Sequence, residues 1–122
     1  MGHEFEAISG QVIEAAIHVH RELGPGFLES VYESAMKVAL RRRGIIYESQ
    51  KEVTVVFEGE EVGVHRLDLV IGGQIVAELK AVKALEDVHF AQVRSYLKAT
   101  GLRVGLLMNF HAPTLIVRRI VL

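Results

Sequence analysis

The chain contains no cysteine, so disulfide bridges and thiolate metal sites are excluded. It contains no tryptophan, the large flat side chain best suited to stacking on a sugar ring. Its two prolines, Pro25 and Pro113, fall at breaks between periodic segments. No apolar run reaches the about 18 residues that a membrane span needs. The start, Met1-Gly2-His3-Glu4, lacks the basic stretch and apolar run of a signal peptide. A cytoplasmic protein without membrane association is therefore expected. Neither sign of charge dominates: 14 Lys and Arg against 15 Asp and Glu leave a net charge of -1. That excludes a general polyanion-coating protein but allows a local basic patch beside an acidic site.

Apolar residues, in contrast, are abundant. Half of the 122 residues are hydrophobic, which is rich for a chain of a size expected to form one domain over residues 1–122. Two arrangements accommodate this content, and both are expected. A sheet is covered on both faces, and part of the remaining apolar surface is covered by a second copy, giving a homodimer.

The period of the apolar residues changes along the chain. Ile8, Val12, Ala16 and Val19 or Leu23, broadened by Ile13 and Ile17, predict a helix from about Ile8 to Leu23 with Ser9 as its N-cap. Gly24-Pro25-Gly26 ends it. Leu28, Val31, Tyr32, Ala35 and Ala39 predict a second helix to about Arg43, stopped by Gly44. Strand signals follow at Ile45 to Tyr47 and Val53 to Phe57, then at Val62 to Ile71 and Ile75 to Ala81. A helix over about Asp87 to Thr100 and strands at Val104 to Met108 and Leu115 to Val121 complete the order α-α-β-β-β-α-β-β. The expected class is α/β, a mixed sheet with helices packed on it.

The segment from Arg66 to Lys80 carries the chemistry. A two-residue Gly72-Gly73 loop would pair Leu67 with Glu78 and set charge against the apolar face. A three-residue loop, Gly72 to Gln74, pairs Ile71 with Ile75, Leu69 with Ala77 and Leu67 with Leu79. The apolar pattern selects the second register, because a slip of one residue flips every side chain. Asp68 then lies opposite Glu78, with Cβ atoms roughly 5 Å apart, and Lys80 emerges on the same face. Two carboxylates at this separation suit Mg²⁺ or Mn²⁺, and the ammonium is placed to orient a water or offset charge. The competing reading is a solvated surface ion pair, worth little. Val70 and Val76 share the face, and charge among apolar residues is costly unless it is paired or binds a metal.

Asp68 followed across the hairpin by Glu78-Leu79-Lys80 resembles the D…(D/E)-x-K signature of the PD-(D/E)XK nuclease superfamily, with Leu67 where the proline of the name would stand. Gly26-Phe27-Leu28-Glu29-Ser30-Val31-Tyr32 is similar to the GxxExxY motif that names a family of small proteins within that superfamily. Residues Val19 to Gly26, Thr100 to Leu107 and Asn109-Phe110 resemble it as well, so the likeness runs from about Ile8 to Ile120. The resemblance implies a restriction-endonuclease-like αβββαβ core, here with an extra N-terminal helix and an extra C-terminal strand. It implies that Asp68, Glu78 and the backbone carbonyl of Leu79 hold Mg²⁺ or Mn²⁺, and that Lys80 is the catalytic lysine. It implies that Glu29 contacts metal-bound water, and that Gln92 and Tyr96, one turn apart, approach the site and the substrate phosphate. Taken alone, Glu29 reads more readily as a solvated helix carboxylate, and Tyr96 equally as a core residue with Gln92 bordering it.

The histidines show no zinc spacing; His20 and His89 lie nearest the motifs. Arg41 to Arg43 and Arg118-Arg119 suit either phosphate contact or helix-end and surface solvation. Three functions are compatible with these features. One is a metal-dependent nuclease acting on DNA or RNA. Another is a non-catalytic module that keeps the nuclease fold to hold nucleic acid or protein. The third is a glycosidase with paired carboxylates, against which Lys80 and the missing tryptophan count.

Overall fold

A computed structural model describes residues 2–122, with side chains from Ala7 onward. The element order is α1 (Gly2–Leu23), α2 (Glu29–Arg42), β1 (Tyr47–Phe57), β2 (Glu60–Ile71), β3 (Ile75–Lys80), α3 (Asp87–Thr100), β4 (Val104–Asn109) and β5 (Ile116–Val121). The five strands lie side by side in sequence order. All neighbours are antiparallel except β3 and β4. Those two run parallel because α3 carries the chain back across the sheet between them.

Both faces are covered, as the apolar content requires. On one, Val12, Ala16, Met36 and Leu40 of α1 and α2 meet Leu69, Ile71, Ile75, Ala77, Leu106 and Met108. On the other, Val93, Tyr96 and Leu97 of α3 meet Val70, Val76 and Leu107. Every residue of β4 is buried, as expected of a central strand packed on both sides. The sheet turns from β2 to β3 at Gly72 and Gly73, whose φ values of 61° and 66° favour glycine. Ile71 pairs with Ile75 and Leu69 with Ala77, the register that the apolar pattern selects.

Three local expectations are corrected. The helix α1 starts at Gly2, so Ser9 is an interior residue and caps nothing; its side chain is buried. Val12, Ala16 and Val19 are buried as expected and Ala15 joins them, but Ile17 is 39% exposed. In α2 the stripe is Tyr32, Met36, Ala39 and Leu40. Leu28 is the N-cap and stays 75% exposed. The reason is common to both helices. Each packs in one core with the sheet and the other helix, so the margins of the buried arc differ from those that the largest apolar residues mark out. Ile45 and Ile46 lie before the strand, and Tyr47 joins Val53 to Phe57 in one strand, β1, whose intervening polar residues alternate between exposed and half-buried.

The helix α3 lies close on the sheet because Gly105 has no side chain. A Cβ built there falls 2.5 Å from Val93 Cγ1. Gly105→Ala should therefore cost about 1–3 kcal/mol through overpacking, read as a lower midpoint in chemical denaturation. Val93→Ala introduced alongside should recover part of that loss, whereas an additive loss would contradict the packing account.

Candidate functional site

The ladder between β2 and β3 stops at Leu69–Ala77. Beyond it, each strand keeps a different partner: β2 continues along β1, and β3 continues along β4. The two strands therefore part, and their backbone groups in the gap need other partners. Asp68 and Glu78 supply them. Asp68 N–H donates to Glu78 Oε1 at 2.9 Å, and Leu79 N–H donates to Asp68 Oδ2 at 3.0 Å. The two carboxylates thus interlock across the fork by these bonds, whereas the expected pairs Asp68–Glu78 and Leu67–Leu79 do not join the ladder, and Leu67 and Leu79 pack on opposite faces. Each spends one oxygen on a backbone N–H, so its second oxygen remains for a cation or a shared proton.

Lys80 lies two residues on from Glu78 on the same face, and its Nζ donates to Gln92 Oε1 at 3.1 Å. Gln92 thus reaches the site, and Lys80 is held by a neutral partner rather than by a carboxylate. Tyr96, one turn further along α3, is buried in the core beneath that helix. Its ring meets His65 edge-on at 4.7 Å. Burial pushes its hydroxyl up to about 12, and the charges of Glu78 and Asp68 add to this. Tyr96 is therefore both a core residue and a neighbour of the carboxylates. Glu29 is exposed at the first turn of α2, and its Oε2 accepts from Ala81 N–H at 3.2 Å. It borders the site from the backbone just past Lys80. Leu79 turns its side chain into the opposite core.

Three supporting residues lay outside the sequence reading of the site. Glu33, one turn after Glu29, is near enough for its charge to act on Asp68; its i, i+4 spacing from Glu29 is the signal that marks it. Asn109 is fully buried. It ties down the chain beyond Lys80: its Nδ2 donates to Val82 O at 2.8 Å and its Oδ1 accepts from Val82 N–H at 3.1 Å. An amide ending an otherwise apolar strand is its signal. Tyr32 donates to Gly24 O at 2.6 Å and stacks on Phe110 at 4.6 Å, so it locks the loop that precedes Glu29.

Other candidates prove to be fastenings. His20 is buried and its Nε2 lies 2.8 Å from Ala112 O. His89 Nδ1 accepts from Glu86 N–H at the start of α3. Arg41 donates to the Tyr47 hydroxyl and Arg43 to Ala39 O, helix-end roles that suit cations. Arg118 and Arg119 pair with Leu107 and Leu106 respectively, so they point to opposite faces and form no joint patch.

The carboxylates stand in an unfavourable setting. Burial raises Glu78, which is 3% exposed, to about 8, and the charge of Asp68 adds to the rise. Asp68 is also raised, by burial first and by Glu33 in addition, while the Leu79 N–H and Lys80 oppose the rise. Neither carboxylate forms an ion pair within 4.0 Å among the described residues. Buried, facing carboxylates without a cation suit a divalent ion, because Mg²⁺ is held by one or two carboxylates plus water and substrate oxygens. Among the described residues no cluster of three or more His, Cys, Asp or Glu cages a metal. The two facing carboxylates alone leave most coordination positions to other oxygen donors.

The sign of the pH dependence follows. A carboxyl raised from 4.5 to about 8 binds more protons folded than unfolded between those values, so stability falls as pH rises through that window. The loss should amount to about 2–4 kcal/mol, measured by denaturation in metal-free buffer. Glu78→Gln should flatten the profile; an unchanged slope in that variant would remove Glu78 as its source.

Comparison with known proteins agrees with this architecture. No helix among the described residues is long and apolar enough to cross a membrane. The solved structure of SSO0001 superposes with a TM-score of 0.60 at 18% identity, over 75% of this chain and 48% of that one. An alkaline exonuclease, LHK-Exo from Laribacter hongkongensis, superposes with a TM-score of 0.54 at 13% identity, over 75% of this chain and 55% of that one. The chain thus spans about half the length of each, and the likeness is one of fold. No curated protein matches the chain in sequence. The profile of the PD-(D/E)XK nuclease superfamily matches residues 6–120. The chain belongs to the PD-(D/E)XK nuclease superfamily, with the restriction-endonuclease-like fold.

Proposed function

We propose that the chain is a cytoplasmic, divalent-metal-dependent nuclease of the GxxExxY kind. It forms one domain over residues 1–122 and hydrolyses phosphodiester bonds of DNA or RNA by attack of a water. The observation that carries this reading is the fork between β2 and β3, where Asp68 and Glu78 interlock beside Lys80. Asp68, Glu78 and the Leu79 carbonyl would hold Mg²⁺ or Mn²⁺. The bound ion would polarise the phosphoryl oxygen and lower the pKa of a water at neutral pH.

The remaining work falls to the chain itself. Lys80, half-buried and without a carboxylate partner among the described residues, orients the attacking water and offsets the negative charge that grows on the phosphoryl group. Gln92 holds the Lys80 ammonium in place through its Oε1 and keeps its amide nitrogen for a phosphate oxygen. Tyr96 stays protonated, because burial and the two carboxylates push it up to about 12; it therefore acts as a donor and not as a base. Glu29 faces the mouth of the site from Ala81 N–H, where a metal-bound water would meet it. The proton taken from the attacking water passes to solvent on this open side.

A homodimer is part of the proposal. β5 is an edge strand, and Val121 and Leu122 at its end are exposed, an apolar edge that a second copy would cover. Light scattering at micromolar concentration should give twice the chain mass; a monomer would remove this part.

Activity is tested by incubating the protein with single- and double-stranded DNA and RNA, in Mg²⁺, in Mn²⁺ and in EDTA. Cleavage should require metal. Asp68→Ala should abolish it, and Lys80→Ala should lower kcat by about 10²–10³-fold. Cleavage that persists in both variants would sink the assigned site. Nucleic acid bound by the wild-type protein but cut under no condition would replace the enzyme with a binding module that keeps the fold.

A further inference from the structure

One strained residue lies directly across the sheet from the site. Gln50 of β1 has a φ of 52°, the left-handed region that a non-glycine side chain seldom enters. Its neighbours pair regularly with β2: Ser49 with Leu69, and Lys51 with Leu67. Gln50 itself stands opposite Asp68, and that one pair is missing from the ladder. The defect in β1 is thus aligned with the residue whose carboxylate enters the fork.

The strand β2 changes face at the same point. Leu67 and Leu69 would share a face in a regular strand. Instead Leu69 packs under α1 and α2, while Leu67 packs on the α3 side with Val70 and Tyr96. The backbone is therefore rotated around Asp68. Such outliers persist only where surrounding structure holds them, and they cluster at functional sites.

What holds Gln50 is Glu33. Gln50 Nε2 donates to Glu33 Oε1 at 2.8 Å, and Ser49 Oγ donates to Glu33 Oε2 at 3.4 Å. Lys37 Nζ stands 3.9 Å from the same Oε2. One carboxylate on α2 therefore grips two consecutive residues of β1, one at the kink and one before it. Its side chain is 15% exposed; both bonds are charge-assisted, the one from Ser49 partly buried and the one from Gln50 exposed.

We infer that Glu33 is a positioning residue: through Gln50 it holds the kink in β1 that frees Asp68 from the β1–β2 ladder and aims its carboxylate into the fork. The inference rests on Asp68 acting as a metal ligand in the proposed reaction. Groups that orient metal ligands without touching the ion typically change affinity or activity by about 10–100-fold when removed.

The test separates the kink from the hydrogen bond that holds it. Glu33→Ala removes the carboxylate that accepts from the Gln50 side chain. In the double variant Glu33→Ala with Gln50→Gly, glycine adopts that conformation unaided. Glu33→Gln retains an oxygen that accepts from Gln50. The first readout needs no metal: amide exchange of Leu79, whose N–H is held by Asp68 Oδ2, measured by NMR relative to Ile75 and Leu106. Glu33→Ala should raise that ratio about tenfold. The double variant and Glu33→Gln should return it close to wild type. General destabilisation would speed all three amides together and leave the ratio unchanged.

Titration calorimetry with Mg²⁺ gives the second readout, with about tenfold weaker binding in Glu33→Ala and recovery in the double variant. An unchanged Leu79 ratio in Glu33→Ala overturns the inference, as does a double variant that remains as fast as the single one. A wild-type protein that binds no Mg²⁺ would remove the metal-dependent reading and the functional purpose of the kink, while the exchange ratios still decide whether Glu33 positions Asp68.

Discussion

The structure turns on the point where β2 and β3 part. Two strands that separate leave backbone groups without partners, and in a buried sheet this is expensive. Here the side chains of Asp68 and Glu78 replace the missing ladder, each accepting an N–H from the opposite strand or its neighbour. The same two bonds hold the carboxylates rigidly face to face. A structural need of the sheet and a chemical need of the site are met by the same atoms.

That arrangement brings like charges together in a buried place, and the burial is imposed from both sides. The helices α1 and α2 close one face through Leu69, Ala77 and Leu79. The helix α3 closes the other, brought close by Gly105. Desolvation raises both carboxyls, so the facing pair is a destabilised spot within a stable frame. A divalent ion would relieve that repulsion, as binding that favours the folded state always adds to stability. The strain and the proposed affinity for metal are two views of one electrostatic fact.

Around the fork, a set of polar clamps fixes parts that hydrophobic packing cannot orient. Asn109 ties Val82 on both its N–H and its carbonyl, which sets the chain beyond Lys80. Tyr32 ties Gly24 and, through its oxygen, Phe27 N–H, which sets the loop before Glu29. Gln92 holds Lys80, and Glu33 holds Gln50. Three of the four clamps hold a loop or a strand end and the fourth holds Gln50 within β1, so the site is braced at several points.

Much of this was legible in the amino-acid sequence. The element order followed from the changes of apolar period, and the superfamily from the spacing of Asp68, Glu78 and Lys80 together with the motif around Glu29. The hairpin register followed from one argument: a slip by one residue would expose Ile71, Leu69 and Ala77 and bury charge. Such local alternation is written into consecutive residues, so it can be read without the fold. The margins of the buried arcs, Ala15 and Ile17 in α1 and Met36 and Leu40 in α2, were not legible in the same way, because a helix that meets two neighbours buries a stripe set by their positions. Nor was the role of Glu33, which meets Gln50 across 17 residues, or the bond from Glu29 to Ala81 across 52. Short-range periodicity determined which residues could face each other across the hairpin. Only the packing of α2 against the sheet decided which carboxylates stand around that pair, because contacts between distant segments depend on where the core brings them.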